Sequence, residues 1–546
     1  MQKIIAIFLF LMVNLSVFAQ LTKIVPYPNN IKELNGVFII NNQTSIQYDL
    51  FNDTLKTSVA FFQDAIETQS GYRLPMATTS YKLKNSIVFR LVAMESLGKE
   101  GYILKIGTNH IEVSANTQNS IFYAVQSLIQ LLPWESKPKN TITLACTQII
   151  DSPRFPWRGM MLDCSRYFFP TGFIKKLLDN LALHKINTFH WHLTDDPGWR
   201  IEIKAFPELT TKGAFRKETV IGSYTDSLLK FDGKRYGGFY TQEEIKEIVK
   251  YANERFITIV PEIEMPGHAQ AAIATYPWLG STDVPTEVAT FWGVKPYLYS
   301  PFDSTFNFLE KVLTEVFELF PGEYVHIGGD EAIKGQWIAN PKIQEKIKAL
   351  GLKNEHELQS WFIKRIQKFA QSKGKKIIGW DEITEGGAPK DAAIMYWRSD
   401  HPEPLVEAVK GNHPVIVTPT EFCYFDYYQA LPQKEPLAIG GYLTLEKVYS
   451  FEPIPSFCSK EQAKQVMGTQ ANLWTEYIST PEYAEYMLFP RLAALAEVAW
   501  TNKERKDYTD FSKRLSSLLN IYNARGIKYY DKKIKLNENI SRTTIL

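Results

Sequence analysis

The chain reads as an α/β protein, a (β/α)8 TIM barrel preceded by a small α/β domain, and three observations predict that class. Its 546 residues are enough for two or three domains, one of them a large barrel. From about Arg158 onward, eight short apolar runs of buried-strand type follow one another. Amphipathic helix patterns separate several of them, and eight parallel strands alternating with helices close into a barrel.

The elements follow in chain order. "MQKIIAIFLFLMVNLSVFAQ" sets Lys3 before an apolar run, Ile4 to Val13, and then small residues ending at Ala19. This is the pattern of a secretory signal peptide over residues 1–19, with a mature chain starting near Gln20 in the periplasm or outside the cell. The run is too short to span a bilayer, and no later stretch offers ~20 uninterrupted apolar residues, so no membrane span is expected. No cysteine follows the cleavage site, which argues against a lipid anchor. Residues 20–150 form the N-terminal domain. There "EGYILKIGTNHIEVSAN" alternates on both sides of Gly107-Thr108-Asn109, a hairpin signal. "NSIFYAVQSLIQLLP" places Ile121, Ala124, Val125, Leu128, Ile129 and Leu132 on one helical face, and Pro133 stops it.

Residues 151–505 carry the barrel. Its strands are expected at 159–164, 187–193, 257–263, 324–327, 376–380, 392–397, 414–417 and 466–474. "TGFIKKLLDNLALHK" follows the first run. "TQEEIKEIVKYANER" precedes the third, opened by Thr241 with Glu244 three residues on, a capping box. "STFNFLEKVLTEVFELF" precedes the fourth, and "EHELQSWFIKRIQKFAQSKG" the fifth, closed by Gly374. "TEGGAPKD", between the fifth and sixth, is too short for a full helix, which predicts an irregular barrel there. "PEYAEYMLFPRLAALAEVAW" follows the eighth. In 506–546 a last segment, with Phe511, Leu515, Leu518 and Tyr522 in phase, is expected to pack on the barrel.

Composition removes some function classes. Lys plus Arg number 61 against 59 Asp plus Glu, a net charge of +2, so no electrostatic case exists for nucleic acid or an anionic membrane. Cys146, Cys164, Cys423 and Cys458 are spaced like neither a zinc site nor a disulfide framework, and buried free thiols are at least as well supported as a disulfide. Nothing in the sequence sets an oligomeric state. Aromatic residues make up 13% of the chain, which suits a site that stacks on flat apolar faces as well as it suits a core.

Barrels of this kind carry their chemistry on the loops after the strands. Asp163 to Arg166, Thr194-Asp195-Asp196, Glu264 to His268, Asp330-Glu331, Trp380-Asp381-Glu382, Trp397-Arg398, "CYFDYYQ" and "NLWTEY" all fall there. Tryptophan faces bind the apolar faces of sugar rings, and Arg with carboxylates takes pairs of hydroxyls. Two carboxylates at one bond are the usual equipment of glycoside hydrolysis. Asp330 and Glu331 are chain neighbours, however, with Cα atoms about 3.8 Å apart. Such neighbours are badly placed to act from opposite faces of one anomeric carbon.

"HIGGDE", with "RGMMLDCSRYF", "FHWHLTDDPGWR", "PEIEMPGH", "GWDE", "CYFDYY" and "NLWTEY" in this order, closely resembles family 20 of the glycoside hydrolases, the β-N-acetylhexosaminidases. The resemblance runs from about Pro26 to about Trp500 and includes a small α/β domain before the barrel. It implies an exo-acting enzyme that releases terminal N-acetylglucosamine or N-acetylgalactosamine from oligosaccharides or glycoconjugates. It implies no cofactor and no metal. In the family the Glu of the pair is the general acid/base, and the Asp before it steers the substrate's own acetamide, which attacks to give an oxazolinium intermediate.

Carried over, Glu331 protonates the glycosidic oxygen and Asp330 holds the acetamide N–H. Asp330 is further expected to keep Glu331 protonated, and Gly328 with Gly329 to leave room for the sugar. Arg166 binds the 3- and 4-hydroxyls; Asp195 and His268 form a supporting pair for Glu331, with Asp196 as the alternative neighbour. Trp380, Trp397 and Trp474 wall the acetamide pocket and the sugar face, and Trp337 forms a lip. Tyr424 donates to the acetamide oxygen, and Asp426 and Glu476 hold the 4- and 6-hydroxyls. Glu264 departs from the family pattern, where aspartate is common, and receives no role.

His326 reads as a structural barrel histidine, Trp191 as packing, and Asp381 and Glu382 as salt-bridged rim residues. The competing class is a metal-dependent barrel hydrolase. His190 and His192, two apart on a strand and so on one face, suit a divalent metal, with His268 and His326 as further ligands. That reading leaves the tryptophans and the Asp-Glu pair unexplained. A catalytically dead sugar-binding module is disfavoured because Asp330, Glu331, Tyr424, Asp195 and His268 are all present.

Overall fold

The computed structural model describes residues 23–48, 53–77, 84–134 and 139–531. The expected signal peptide lies outside the described residues. Two compact units emerge: Phe155–Met487 form one, and the residues up to Arg154 together with those from Leu488 onward form the other.

In that second-named unit a seven-stranded mixed sheet runs β1 (Asn30–Ile40), β7 (Ile142–Asp151), β5 (Tyr102–Ile106), β6 (His110–Ala115), β4 (Ser86–Leu91), β2 (Ser45–Gln47) and β3 (Met76–Ala77). The predicted hairpin is β5–β6, antiparallel from Tyr102↔Ala115 to Ile106↔Ile111. Helix α1 spans Asp53–Ser70, and α2, Gln118–Leu131, starts where the Thr117 side chain accepts from the Ser120 N–H. The sequence suggests one apolar face on α2, yet every residue from Ser120 to Leu131 is buried. The reason is cover on the other side. Phe61 of α1 meets Phe122 edge-on at 5.3 Å, and Trp500 meets Tyr123 at 5.2 Å.

Trp500 belongs to the C-terminal segment, which corrects an expectation. The last helix, Tyr508–Ala524, does bury Phe511, Leu515, Leu518 and Tyr522. Its unit is that of the N-terminal sheet and not the barrel, because Arg514 donates to the Ile24 carbonyl at 2.8 Å and clasps Glu497.

The other unit is a closed barrel of eight parallel strands, each paired with its chain neighbours: β8 (Trp157–Asp163), β9 (Thr188–His192), β10 (Thr258–Glu262), β11 (Tyr324–His326), β12 (Lys376–Trp380), β13 (Ala393–Tyr396), β14 (Val415–Val417) and β15 (Val466–Leu473). All eight overlap the predicted runs, the first starting two residues earlier, at Trp157. The capping box at Thr241 and Glu244 is formed, and Gly374 follows helix Glu355–Ser372 at φ +73°. Between β12 and β13 there is one 3-10 turn, Asp381–Thr384, in place of a helix, as the short connection requires.

Register decides what meets at the mouth. Asp163 pairs with His192, His192 with Glu262, and Glu262 with His326, so four ionisable residues from four adjacent strands form one layer. Among the described residues, no helix is long and apolar enough to cross a membrane. All four cysteines are free, three of them buried.

Candidate active site

A cavity of about 170 Å³ opens at the C-terminal ends of the strands. Arg166, Asp195, His268, Asp330, Glu331, Trp380, Trp397, Tyr424, Asp426, Trp474 and Glu476 line it. These are eleven of the twelve residues singled out from sequence. Thr420, Tyr427 and Ile439 also line it; Tyr427 belongs to the "CYFDYYQ" stretch, and nothing in the local sequence distinguishes the other two.

Trp337 is the exception. It is fully buried among Leu298, Ile343, Ile347 and Leu358, and its indole N–H is shared by Ser281 Oγ and the Tyr299 carbonyl, both at 3.0 Å. It is a core residue and not a lip. Its short helix, Gly335–Ala339, turns the indole inward, a direction that spacing alone does not reveal.

Asp163, at the end of β8, organises one wall. Its Oδ1 accepts the N–H groups of Ser165 (2.8 Å) and Arg166 (3.1 Å), and its Oδ2 accepts that of Thr475 (3.1 Å). The loops bearing Arg166 and Glu476 are thereby tied to one carboxylate. Arg166 places Nη1 2.7 Å from Asp195 Oδ2 and Nη2 3.9 Å from Glu476 Oε1, with its guanidinium 5.0 Å from the Trp474 ring centre. Burial raises the Glu476 carboxyl above its usual range despite Arg166.

The opposite wall is the Gly328-Gly329-Asp330-Glu331 turn. Glu331 and His268 both take left-handed backbone, φ +46° and +48°. Such conformations in non-glycine residues cost of order 1–3 kcal/mol and cluster at functional sites. Gly328 and Gly329 are also left-handed, at +65° and +98°. The space at these glycines is not left for a sugar, contrary to expectation. A Cβ on Gly328 would lie 1.6 Å from Glu264 Oε2, and one on Gly329 2.3 Å from Ile383 Cγ2. The bare backbone makes room for the protein's own side chains. Burial, with Asp330 and Glu262 close by, holds the Glu264 carboxyl well above the usual range.

His268 links the pieces. Its Nδ1 lies 3.1 Å from Asp195 Oδ1 and 3.3 Å from Asp196 Oδ2, so both candidate partners touch it. Its Nε2 lies 3.4 Å from Glu331 Oε2 and 3.6 Å from Asp330 Oδ2. Burial opposes its charge, but Asp195 and Asp330 outweigh burial and keep it an imidazolium.

The two neighbouring carboxylates are placed very differently. The Asp330 side chain is 10% exposed and that of Glu331 38% exposed. Burial, with Glu331 adding to it, pushes Asp330 up to about 7 against the pull of His268. For Glu331, burial is outweighed by the hydrogen bond and charge of His268, and its pKa is lowered. The expected direction is therefore reversed: Asp330 is raised and Glu331 is lowered, so Asp330 is the more basic of the pair. Sequence gives adjacency, but the deeper burial of Asp330 decides which partner ionises.

The aromatic walls are held by carboxylates. Trp397 donates its indole N–H to Glu382 Oε2 at 2.9 Å, and Arg398 pairs with Asp381 at 2.5 Å. Asp381 and Glu382 are thus salt-bridged, as read, but Glu382 also orients a cavity wall. Tyr424 stacks on Trp397 at 6.1 Å, and burial together with Asp426 holds its phenol well above the usual range, leaving it a donor.

The histidines of the metal-dependent reading converge elsewhere. His190 Nε2 and His326 Nδ1 lie 3.1 and 2.7 Å from the Glu262 carboxylate, and His192 Nδ1 touches it too. All four are fully buried, and Trp380 and Trp474, which line the cavity, cover them: Trp380 lies 4.9 Å from the His326 ring and Trp474 4.9 Å from that of His192. An ion there would not meet a ligand in the cavity. His268 sits apart, with Asp195 and Asp196.

Comparison with known proteins completes the site. The family "Glycosyl hydrolase family 20, catalytic domain" matches residues 155–503, and "Glycosyl hydrolase family 20, domain 2" matches 21–152. A beta-hexosaminidase of Porphyromonas gingivalis is 41% identical over 513 residues, covering 93% of this chain and 64% of that protein, so this chain spans under two thirds of that relative's length. The crystal structure of a GH20 exo beta-N-acetylglucosaminidase from Vibrio harveyi, in complex with N-acetylglucosamine, superposes with a TM-score of 0.82 at 34% identity, covering 94% of this chain and 78% of that one. The GH20 beta-N-acetylhexosaminidase from Streptomyces coelicolor A3(2) does so with a TM-score of 0.82 at 30% identity, covering 94% and 98%.

Proposed function

The chain belongs to glycosyl hydrolase family 20 and is a glycoside hydrolase, and from that premise we propose that it is an exo-acting, retaining β-N-acetylhexosaminidase. Its substrates are oligosaccharides or glycoconjugates ending in N-acetylglucosamine or N-acetylgalactosamine. The observation that carries this reading is the unequal placement of Asp330 and Glu331 around one imidazolium, His268.

The acetamide of the terminal sugar sits between Trp380, Trp397 and Trp474, with its N–H donating a hydrogen bond to Asp330 and its oxygen accepting one from the Tyr424 hydroxyl. That oxygen attacks the anomeric carbon. The bond to the leaving oxygen breaks, and Glu331 supplies the proton the leaving group carries away. Water then opens the oxazolinium, returning its proton to Glu331 and leaving the anomeric configuration retained.

The greater basicity of Asp330 in the free protein fits this sequence. A bound sugar dries Glu331 and raises its pKa, while the acetamide N–H favours ionised Asp330. The single proton of the pair thereby moves to the residue that needs it. Arg166, Asp426 and Glu476 hold the hydroxyls of one terminal ring, which supports exo action. The N-terminal segment supports export, so the enzyme acts in the periplasm or outside the cell. N-terminal sequencing of natively produced protein that still began at Met1 would remove that part of the reading.

The test is turnover of defined oligosaccharides. Release of N-acetylhexosamine from the non-reducing end before any internal cleavage supports the assignment. Internal cleavage first, or no turnover of an aryl N-acetylglucosaminide, overturns it.

A further inference from the structure

We propose that Glu262 is a positioning residue for this reaction: its one carboxylate fixes both the Trp380 wall of the cavity and, through His192, the Asp195 that holds Arg166 and His268. The proposal rests on the functional reading above. Glu262 touches neither the cavity nor any residue to which sugar contacts were assigned, apart from Trp380.

The geometry is a chain of alternating charge. Glu262 Oε1 accepts the Trp380 indole N–H at 2.8 Å and faces His326 Nδ1 at 2.7 Å. Glu262 Oε2 faces His190 Nε2 at 3.1 Å and takes the Nδ1 side of His192. The other nitrogen of His192, Nε2, lies 3.0 Å from Asp195 Oδ2. Asp195 in turn reaches Arg166 Nη1 at 2.7 Å and His268 Nδ1 at 3.1 Å. Glu262, His192 and Asp195 are all at most 2% exposed, so water does not screen the chain.

The two neighbouring histidines carry different charge for visible reasons. His190 accepts the Gln470 amide at Nδ1 (3.0 Å), which leaves its one proton on Nε2 toward Glu262. Burial brings its pKa down to about 4, so it is neutral. His192 has a carboxylate on each nitrogen. Burial opposes its charge, but Glu262 and Asp195 outweigh burial and lift it to about 10. A doubly protonated imidazolium donates in both directions and fixes Asp195 in one orientation. The strand register makes this possible, because Glu262 is paired directly with His192 on one side and His326 on the other. A buried carboxylate is costly to desolvate even with this many partners. Apolar packing would serve stability as well, which points to a role in orientation.

Glu262→Gln separates the two. The glutamine oxygen can still accept from Trp380, but the charge that keeps His192 protonated is gone. His192 then faces Asp195 and Asp163, with Glu264 Oε1 at 3.9 Å and neutral His190 beside it. On an aryl N-acetylglucosaminide, kcat should fall about 10- to 100-fold, the order expected when a reacting group is misplaced by about 1 Å, with KM changed less. Histidine nitrogen NMR supplies a readout that a merely structural role would not move. In the wild-type protein both His192 nitrogens should stay protonated to at least about pH 8.5, and in Glu262→Gln the ring should titrate in the neutral range.

Wild-type kcat in Glu262→Gln overturns the proposal, as does a neutral His192 in the wild-type protein at pH 7. A kcat loss with unchanged His192 titration overturns it as well, by leaving only a structural role. Should Glu262→Gln not fold, His192→Gln severs the link to Asp195 while leaving Glu262 on Trp380, and wild-type kcat there is equally fatal. If the wild-type protein does not cleave the aryl N-acetylglucosaminide at all, the functional reading fails, and the NMR result on His192 still stands.

Discussion

Each compact unit buries a cluster of charge, and the two are built to opposite ends. In the unit of the N-terminal sheet, Arg514 meets Glu497 with two parallel bonds of 2.8 and 2.7 Å, gives its Nε to Asp510 at 2.6 Å and donates to the Ile24 carbonyl. Glu497 also accepts the Tyr27 N–H at 2.9 Å. In the barrel unit, Asp330 Oδ1, Glu476 Oε2 and both oxygens of Glu264 are buried without a hydrogen-bond partner. Burial of a polar group is costly unless it is hydrogen-bonded. The first cluster offsets that cost internally and ties a terminal helix to its sheet. The second leaves much of it uncompensated, beside left-handed backbone at Glu331 and His268. A satisfied buried pair holds a fold together, and an unsatisfied one is held ready for something that is not protein.

The largest effect should come from the substrate side. An aryl β-glucoside, with a hydroxyl in place of the acetamide, should be turned over ~10⁴-fold or more less efficiently than the N-acetylglucosaminide, because Asp330 and Tyr424 lose their partners. Comparable kcat/KM for the two would erase the contrast between the clusters. Next in size is Glu331→Gln, expected to cost ~10²–10⁴ in kcat for substrates with poor leaving groups and much less for activated aryl glycosides. A small and uniform loss across leaving groups would remove Glu331 as the acid.

Breaking the other cluster should leave chemistry alone. Glu497→Ala should lower stability by about 3–5 kcal/mol, read as a shift of the urea midpoint, because Arg514 stays buried without its partner. Its kcat/KM at a temperature where it is folded should match wild type, and a selective loss of kcat would show that the clusters are not separate in function.

The pH dependence sharpens the barrel side. The Asp330/Glu331 pair must hold one proton for Glu331 to act as acid. In the free protein that proton leaves as pH rises through about 7, the Asp330 value. The kcat/KM profile should therefore be full below that point and fall above it, and a profile flat to pH 9 would contradict the placement of the proton. The smallest effect is expected from Trp337→Phe: a loss of about 1–3 kcal/mol of stability from two unmet acceptors, with KM unchanged.

What sequence could and could not show follows the same division. The eight strands were legible because fully buried parallel strands are continuous apolar runs, and the cavity lining because its residues sit just after them. Glu262 was legible as a carboxylate inside an apolar strand run, but only register reveals that His192 and His326 flank it. Three things were out of reach: the inward turn of Trp337, the packing partner of Gly328, and which of Asp330 and Glu331 keeps the proton. Each depends on which atoms surround a side chain, and spacing along the chain does not carry that.

The central claim, that the substrate's acetamide and not Asp330 attacks the anomeric carbon, is tested most directly by aryl N-acetylglucosaminides carrying zero to three fluorines on the acetamide methyl. Fluorine withdraws electrons and weakens the carbonyl oxygen as a nucleophile while changing the ring contacts little. If the acetamide attacks, log kcat/KM should fall steeply and steadily with each fluorine. A flat series, with all four substrates cleaved at similar rates, would contradict the claim and return attack to a protein carboxylate.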